Sequence, residues 1–117
     1  MLQKNEIVRK IAANYIFWPD NPLVKNGYVE ISACGEVRVV DTQGKIKEMA
    51  GLEFYGGMIV PAYIGRHAKS LRPGMELLPF LERQFARYGW DCDRVAIIEG
   101  ADLVGLVWTE GAAVRLL

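Results

Sequence analysis

From Ile7 to Phe17 the chain is dense in β-branched and aromatic residues, and it stops at Trp18-Pro19-Asp20-Asn21-Pro22. A run of that kind ended by a turn cluster predicts a strand. Asn26-Gly27 is a second turn signal, and Tyr28-Val29-Glu30-Ile31-Ser32 then alternates apolar with polar, as a half-buried strand does. Gly35 interrupts the chain, and Val37-Arg38-Val39-Val40-Asp41 reads as a third strand. Thr42-Gln43-Gly44-Lys45 predicts a hairpin turn into Ile46-Lys47-Glu48-Met49. Leu52-Glu53-Phe54-Tyr55 lies between Gly51 and Gly56-Gly57. Met58-Ile59-Val60 is a short apolar run stopped at Pro61.

After Arg72-Pro73-Gly74 the period changes. Leu77, Leu78, Leu81, Phe85 and Tyr88 recur at helical spacing and share one face, while Glu82, Arg83 and Arg87 fall on the wet side. Proline is tolerated in the first turn, so Pro79 places the helix start near Leu78. The helix is expected over about 78–88, with Gly89 as its stop. Strand character returns in Arg94-Val95-Ala96-Ile97-Ile98, bounded by Gly100. Asp102 to Val107 either extends the sheet or runs across it, and Ala113 to Leu117 closes the chain as a short strand. Short early connections favour antiparallel pairing, because a parallel pair needs a long crossover. The final strands are expected to return to the early ones. The pattern predicts a mainly β domain with one amphipathic helix.

A chain of 117 residues fits one domain. It is too short for a complete (β/α)₈ barrel, which takes at least about 200 residues. A hydrophobic fraction of 51% and a charged fraction of 24% describe a globular chain and not a disordered one. The 14 basic and 14 acidic residues cancel. This balance exerts no general pull toward nucleic acid or an anionic membrane, and it lowers the repulsion that opposes self-association. No apolar run reaches the roughly 18 residues of a membrane span. Arg9 and Lys10 interrupt the apolar stretch near the N-terminus, so no secretory signal is read there. Cys34 and Cys92 are far apart and match no C-x-x-C spacing, so reduced thiols and a cytoplasmic location are expected.

Several of these segments together carry a family likeness. The first hairpin holds Gly27, Val29 and Ile31, and the second holds Gly44-Lys45-Ile46. Gly57-Met58-Ile59-Val60-Pro61-Ala62-Tyr63-Ile64 then leads into a loop with His67. This arrangement resembles the N-terminal part of the amidohydrolase superfamily, the metallo-dependent hydrolases. Val95 to Leu103 resembles the strand that returns from the barrel of those enzymes to complete a small β-sandwich. The likeness covers residues 7–70 and 94–117, and rests largely on glycine, proline and apolar positions. It implies a single β-sandwich-like composite domain over residues 1–117, with strands from 7–64 and 94–117.

The departures from that family decide the expected function. The resemblance implies two metal-ligating histidines one residue apart, with further histidines and an aspartate from later barrel strands. His67 matches the first histidine, but Lys69 stands in place of the second, Ala62 in place of a glycine and Gly65 in place of an asparagine. His67 is the single histidine of the chain, and the stretch from Leu71 to Arg94 is too short to hold a barrel. A catalytic zinc has three protein ligands and an open position, and a lysine ammonium beside the site repels the metal. The chain therefore reads as a non-catalytic binding or interaction module, a composite domain without its barrel and with no cofactor. Read by resemblance alone, it would be a metal-dependent hydrolase or deaminase acting on non-peptide C–N bonds, with His67 as the residual metal candidate.

Arg66, His67, Lys69 and Arg72 form a basic loop, and guanidinium groups of this kind recognise phosphate or carboxylate. The third reading is thus a small-anion-binding protein; against it stands a plain solvated loop. Asp91-Cys92-Asp93 fits a polar turn better than a metal site, because consecutive side chains do not share a face. Nothing in the sequence brings Glu48, Glu53 and Glu110 together for acid–base chemistry. Trp18, Trp90 and Trp108, with Tyr15, Tyr28, Tyr55, Tyr63 and Tyr88, supply apolar surface to a core or to an interface. A face that has lost its barrel needs cover. The helix and a second copy would share that role, which predicts a homodimer; an intact amidohydrolase relative is the other expected partner.

Overall fold

A computed structural model describes residues 6–43, 51–89 and 94–117. Strand β1 is Ile7–Ile16, and a two-residue strand β2, Val24–Lys25, folds back on its end. Strands β3, Tyr28–Ser32, and β4, Val37–Val40, form the hairpin that the alternating pattern predicts. The predicted runs on either side of Gly56-Gly57 are one strand, β5, Leu52–Pro61. A short helix α1, Ile64–His67, a 3-10 turn at Ala68–Ser70 and the amphipathic helix α2, Leu77–Tyr88, follow. Strands β6, Val95–Glu99, and β7, Ala113–Leu116, complete the chain. The predicted strand at Ile46–Met49, and the Gly44-Lys45 half of the turn before it, lie outside the described residues.

The strands make one mixed sheet in the order β4-β3-β1-β5-β6-β7, with β2 attached to β1. Four of the pairings on this path are antiparallel, but β1 and β5 run parallel. The sheet is thus mainly antiparallel, as the short connections predict, with one parallel pair as the exception. A parallel pair needs a long return path, and the whole β2–β4 excursion provides it. β6 adds to the free edge of β5, so the C-terminal strands complete the sheet on the side away from β3.

The join between β1 and β5 carries a bulge. The register shifts between Ala13 and Tyr15, and the Gly57 N–H donates to Asn14 Oδ1 at 2.8 Å. Gly57 has φ 141°, and a Cβ there would stand 2.1 Å from the Ile98 carbonyl oxygen on β6. The glycine lets a bulged strand and its neighbour approach this closely.

Alternation along the strands divides the core by face. Met58, Val60, Ala96 and Ile98 face α2 and bury its Leu77, Phe80 and Leu81. Each such side chain removed from water contributes about 1.5–3 kcal/mol. Phe17 meets Phe85 of α2 edge to face at 5.0 Å. On the other face Ile11, Ala13, Val29, Ile59 and Ile97 are fully buried, and among the described residues no helix packs on them. The sheet curls over itself there. Ile31 and Val37 share a cavity of about 150 Å³ with Val95 and Leu117. A flat sheet would hold β3 and β6 about 14 Å apart. The packing is sandwich-like, yet one continuous sheet provides both layers. This double cover explains why β6 reads as an unbroken apolar run.

Asp102 to Val107 neither extends the sheet nor adds a strand. Its ends exchange backbone hydrogen bonds, and Asp102 Oδ1 accepts from the N–H groups of Val104 and Gly105. The turn is tied to the start of α2 by Leu77 N–H to Leu106 C=O, 2.9 Å, and by Trp108 N–H to Met75 C=O, 2.8 Å. Among the described residues, no helix is long and apolar enough to cross a membrane.

Candidate functional site

Beyond Pro61 the chain leaves the sheet but stays near its end, because Ala62 N–H donates to the Arg94 carbonyl at 3.0 Å. Tyr63 and Ile64 plunge into the core and anchor α1. The helix then lies against β7 with Gly65 facing it; a Cβ on Gly65 would stand 3.6 Å from Val114 Cγ1. Between α1 and the β6–β7 pair an open cleft of about 460 Å³ remains. Ala96, Val114 and Leu116 of β6 and β7 line it on one side, Tyr63, Gly65 and Arg66 on the other, and Arg94 is part of the same lining. Leu116 is 48% exposed there. No ion pair among the described residues involves Arg94.

The basic residues singled out in the sequence do not converge. Arg66, on α1, lines the cleft. His67 turns the other way, and its ring stacks on Tyr88 of α2 at 4.8 Å with 12° between the planes. Lys69 is exposed in the 3-10 turn, and Arg72 Nη1 donates to the Lys69 carbonyl at 3.3 Å, closing that turn. The second cation of the cleft is Arg94, which the pattern marked as no more than the start of a strand. The detectable signal was a cation opening an otherwise apolar strand.

The resemblance would bring a divalent metal to His67. Three protein ligands are the usual minimum, and this imidazole serves as a packing surface for Tyr88. Among the described residues no group of three histidine, cysteine, aspartate or glutamate side chains is placed to hold an ion. Among the described residues the donor set does not fit the group. Asp91, Cys92 and Asp93, like Glu48 and Trp90, lie outside the described residues.

The remaining candidates serve structure. Glu53 accepts two hydrogen bonds from Arg9, at 2.8 and 2.9 Å, and one from Tyr55 Oη at 3.1 Å. The Arg9 guanidinium holds its carboxyl below the usual carboxylate range, which suits a fixed acceptor and not a proton donor. Arg115 pairs with Glu99 through two bonds of 2.7 and 3.1 Å and sits 5.5 Å from the Tyr55 ring centre. These groups link four strands in one polar ladder. Glu110 is exposed in the loop before β7. Cys34 is exposed, and its thiol is drawn down by the hydrogen bond with Ser32 Oγ at 3.1 Å. Trp18 and Trp108 are core residues.

The site is therefore a shallow cleft with an apolar floor and two arginines, built by α1, β6 and β7. No family model, no curated protein and no solved structure matches this chain.

Proposed function

We propose that the chain is a non-catalytic binding module, a composite β-domain of the amidohydrolase kind without its barrel, holding a small anion in the α1/β6–β7 cleft. The observation that carries this reading is that Arg66 and Arg94 both line the cleft whose apolar side is Ala96, Val114 and Leu116. Guanidinium forks bind planar anions in two-point contact. The family relation is part of the proposal. It is supported by β6 and β7 completing a sheet begun by the N-terminal strands, and by the chain passing from Pro61 directly to His67 on α1. A cytoplasmic setting belongs to the same reading.

Anion titration followed by amide NMR tests it. Inorganic phosphate or acetate is expected to shift Gly65 and Arg94 signals saturably, and Arg94→Gln to abolish the response. No saturable response at concentrations well above a Kd of about 1 mM would overturn the binding reading. Self-association, or association with an intact amidohydrolase relative, is proposed as a second property of the module. It is supported by the balanced charge and by Phe54, 60% exposed. Light scattering is expected to give a dimer mass; a monomer mass at all concentrations would remove the homodimer.

A further inference from the structure

We infer that a second copy of this chain pairs with the open edge of β4, antiparallel about a two-fold axis at Val37. This names the surface of the self-association proposed above and rests on it.

β4 and β7 end the strand order of the sheet, so each has one side without a neighbouring strand. The ladder to β3 fixes which groups of β4 face its open side. Ser32 N–H donates to the Glu36 carbonyl at 2.9 Å, and Glu36 N–H to Ser32 Oγ at 3.1 Å. Glu36 therefore points its backbone groups at β3. Hydrogen-bonded and non-hydrogen-bonded pairs alternate along an antiparallel ladder. Val37 and Val39, opposite Ile31 and Val29, thus direct N–H and C=O outward. Such a row is a template for a further strand. β4 carries no proline, lysine or bulge to blunt it.

The side chains choose the occupant and the register. Glu36 and Arg38 lie on one face of the strand, Val37 and Val39 on the other. With the two-fold at Val37, that valine meets its own copy. Glu36 then stands opposite Arg38 of the second copy, and Arg38 opposite its Glu36. Opposite charges directly across an antiparallel pair stabilise it, and like charges destabilise it. Both residues are exposed, and Glu36 makes no ion pair among the described residues. Arg38 holds Glu30 through Nη2 at 2.8 Å and is 76% exposed. A guanidinium has five N–H donors, so donors remain for a second carboxylate. A two-fold at Arg38 would put two guanidiniums face to face. One at Val39 would set Val37 against Asp41, whose carboxylate already accepts from Gln43 N–H at 2.8 Å. β7 offers no such match: its one charge, Arg115, is bonded to Glu99, and its other residues are apolar. A four-residue edge buries little area, so the dimer is weak and depends on concentration.

The test is light scattering of the full chain from about 10 μM to about 1 mM, with two charge variants. The parent is expected to pass from monomer toward dimer over that range. Glu36→Lys and Arg38→Glu each place like charges at both crossings. Each should raise the dimer Kd about tenfold or more while the amide NMR spectrum stays folded. Mixed in equal amounts, the two variants should form a heterodimer about as tight as the parent dimer, because both crossings are then opposite in charge. Val37→Pro removes an outward N–H, spares the ladder to β3 and should leave a monomer. Charge variants that dimerise as the parent does would overturn the β4 edge and leave self-association intact. Weakened variants that do not recover on mixing, or a folded Val37→Pro chain that still dimerises, would overturn the edge as well. A parent that stays monomeric at every concentration would overturn both.

Discussion

Replacing Gly57 by alanine tests how β5 and β6 come together beneath the cleft. Two costs add. A φ of 141° is strained for any residue with a Cβ, and holding such a conformation costs about 1–3 kcal/mol. The new Cβ would also stand 2.1 Å from the Ile98 carbonyl oxygen. That atom belongs to a paired strand and cannot swing aside, so β6 must shift, an overpacking cost of about 1–3 kcal/mol. The sum is about 2–6 kcal/mol, a large share of the total of about 5–15 kcal/mol that holds a domain folded. Gly35 supplies the control: its φ is 88°, but nothing lies within 4 Å of a Cβ there. Gly35→Ala should therefore cost the conformational part alone, about 1–2 kcal/mol. Urea unfolding followed by tryptophan fluorescence reads both. With a slope near 2 kcal/mol/M, the midpoint should fall by about 1–3 M for Gly57→Ala and by less than about 1 M for Gly35→Ala. Equal shifts for the two variants would refute the close approach of β6. A Gly57→Ala midpoint equal to the parent's would refute the strained bulge itself.

Three further outcomes are expected. Phe80→Ala removes a ring that is 2% exposed between α2 and the sheet, and calorimetry should register a loss of about 3–5 kcal/mol. Glu53→Gln breaks a half-exposed pair with Arg9, so its cost at neutral pH should be about 1 kcal/mol or less and should shrink in high salt. The Glu53 pKa is depressed in the fold, so this contribution is full above the unfolded carboxylate value of about 4.3 and is lost as pH falls through the folded value. Parent and variant stabilities should therefore converge in acid; a gap that widens there would contradict the pairing. His67→Ala removes the stack on Tyr88 and should cost about 0.5–1.5 kcal/mol, with the metal content of the purified protein unchanged. Stoichiometric zinc or iron that disappears with this substitution would return the chain to the metal-dependent hydrolases.

Local periodicity determined which stretches became strands and which became the long helix. The alternation of Tyr28 to Ser32, the apolar run after Arg94 and the spacing of Leu77, Leu81, Phe85 and Tyr88 each bury one face, and residues two or four apart settle that choice among themselves. Four-residue α1 is too short to show a period, so its residues read as a loop. Gly56-Gly57 read as a break, but the glycines sit inside β5, because a bulge asks for the same residue as a turn. Whether β1 meets β5 in parallel, and how far the sheet curls, depends on contacts between segments dozens of residues apart, which no local spacing encodes. The cleft is of that second kind. Arg66 stood out within a basic run, but Arg94 came to line the same cleft only when β5 and β6 paired and held Ala62 against the start of β6. Sequence neighbours share a charge pattern; residues far apart in sequence share a cleft only when the sheet brings their backbones together.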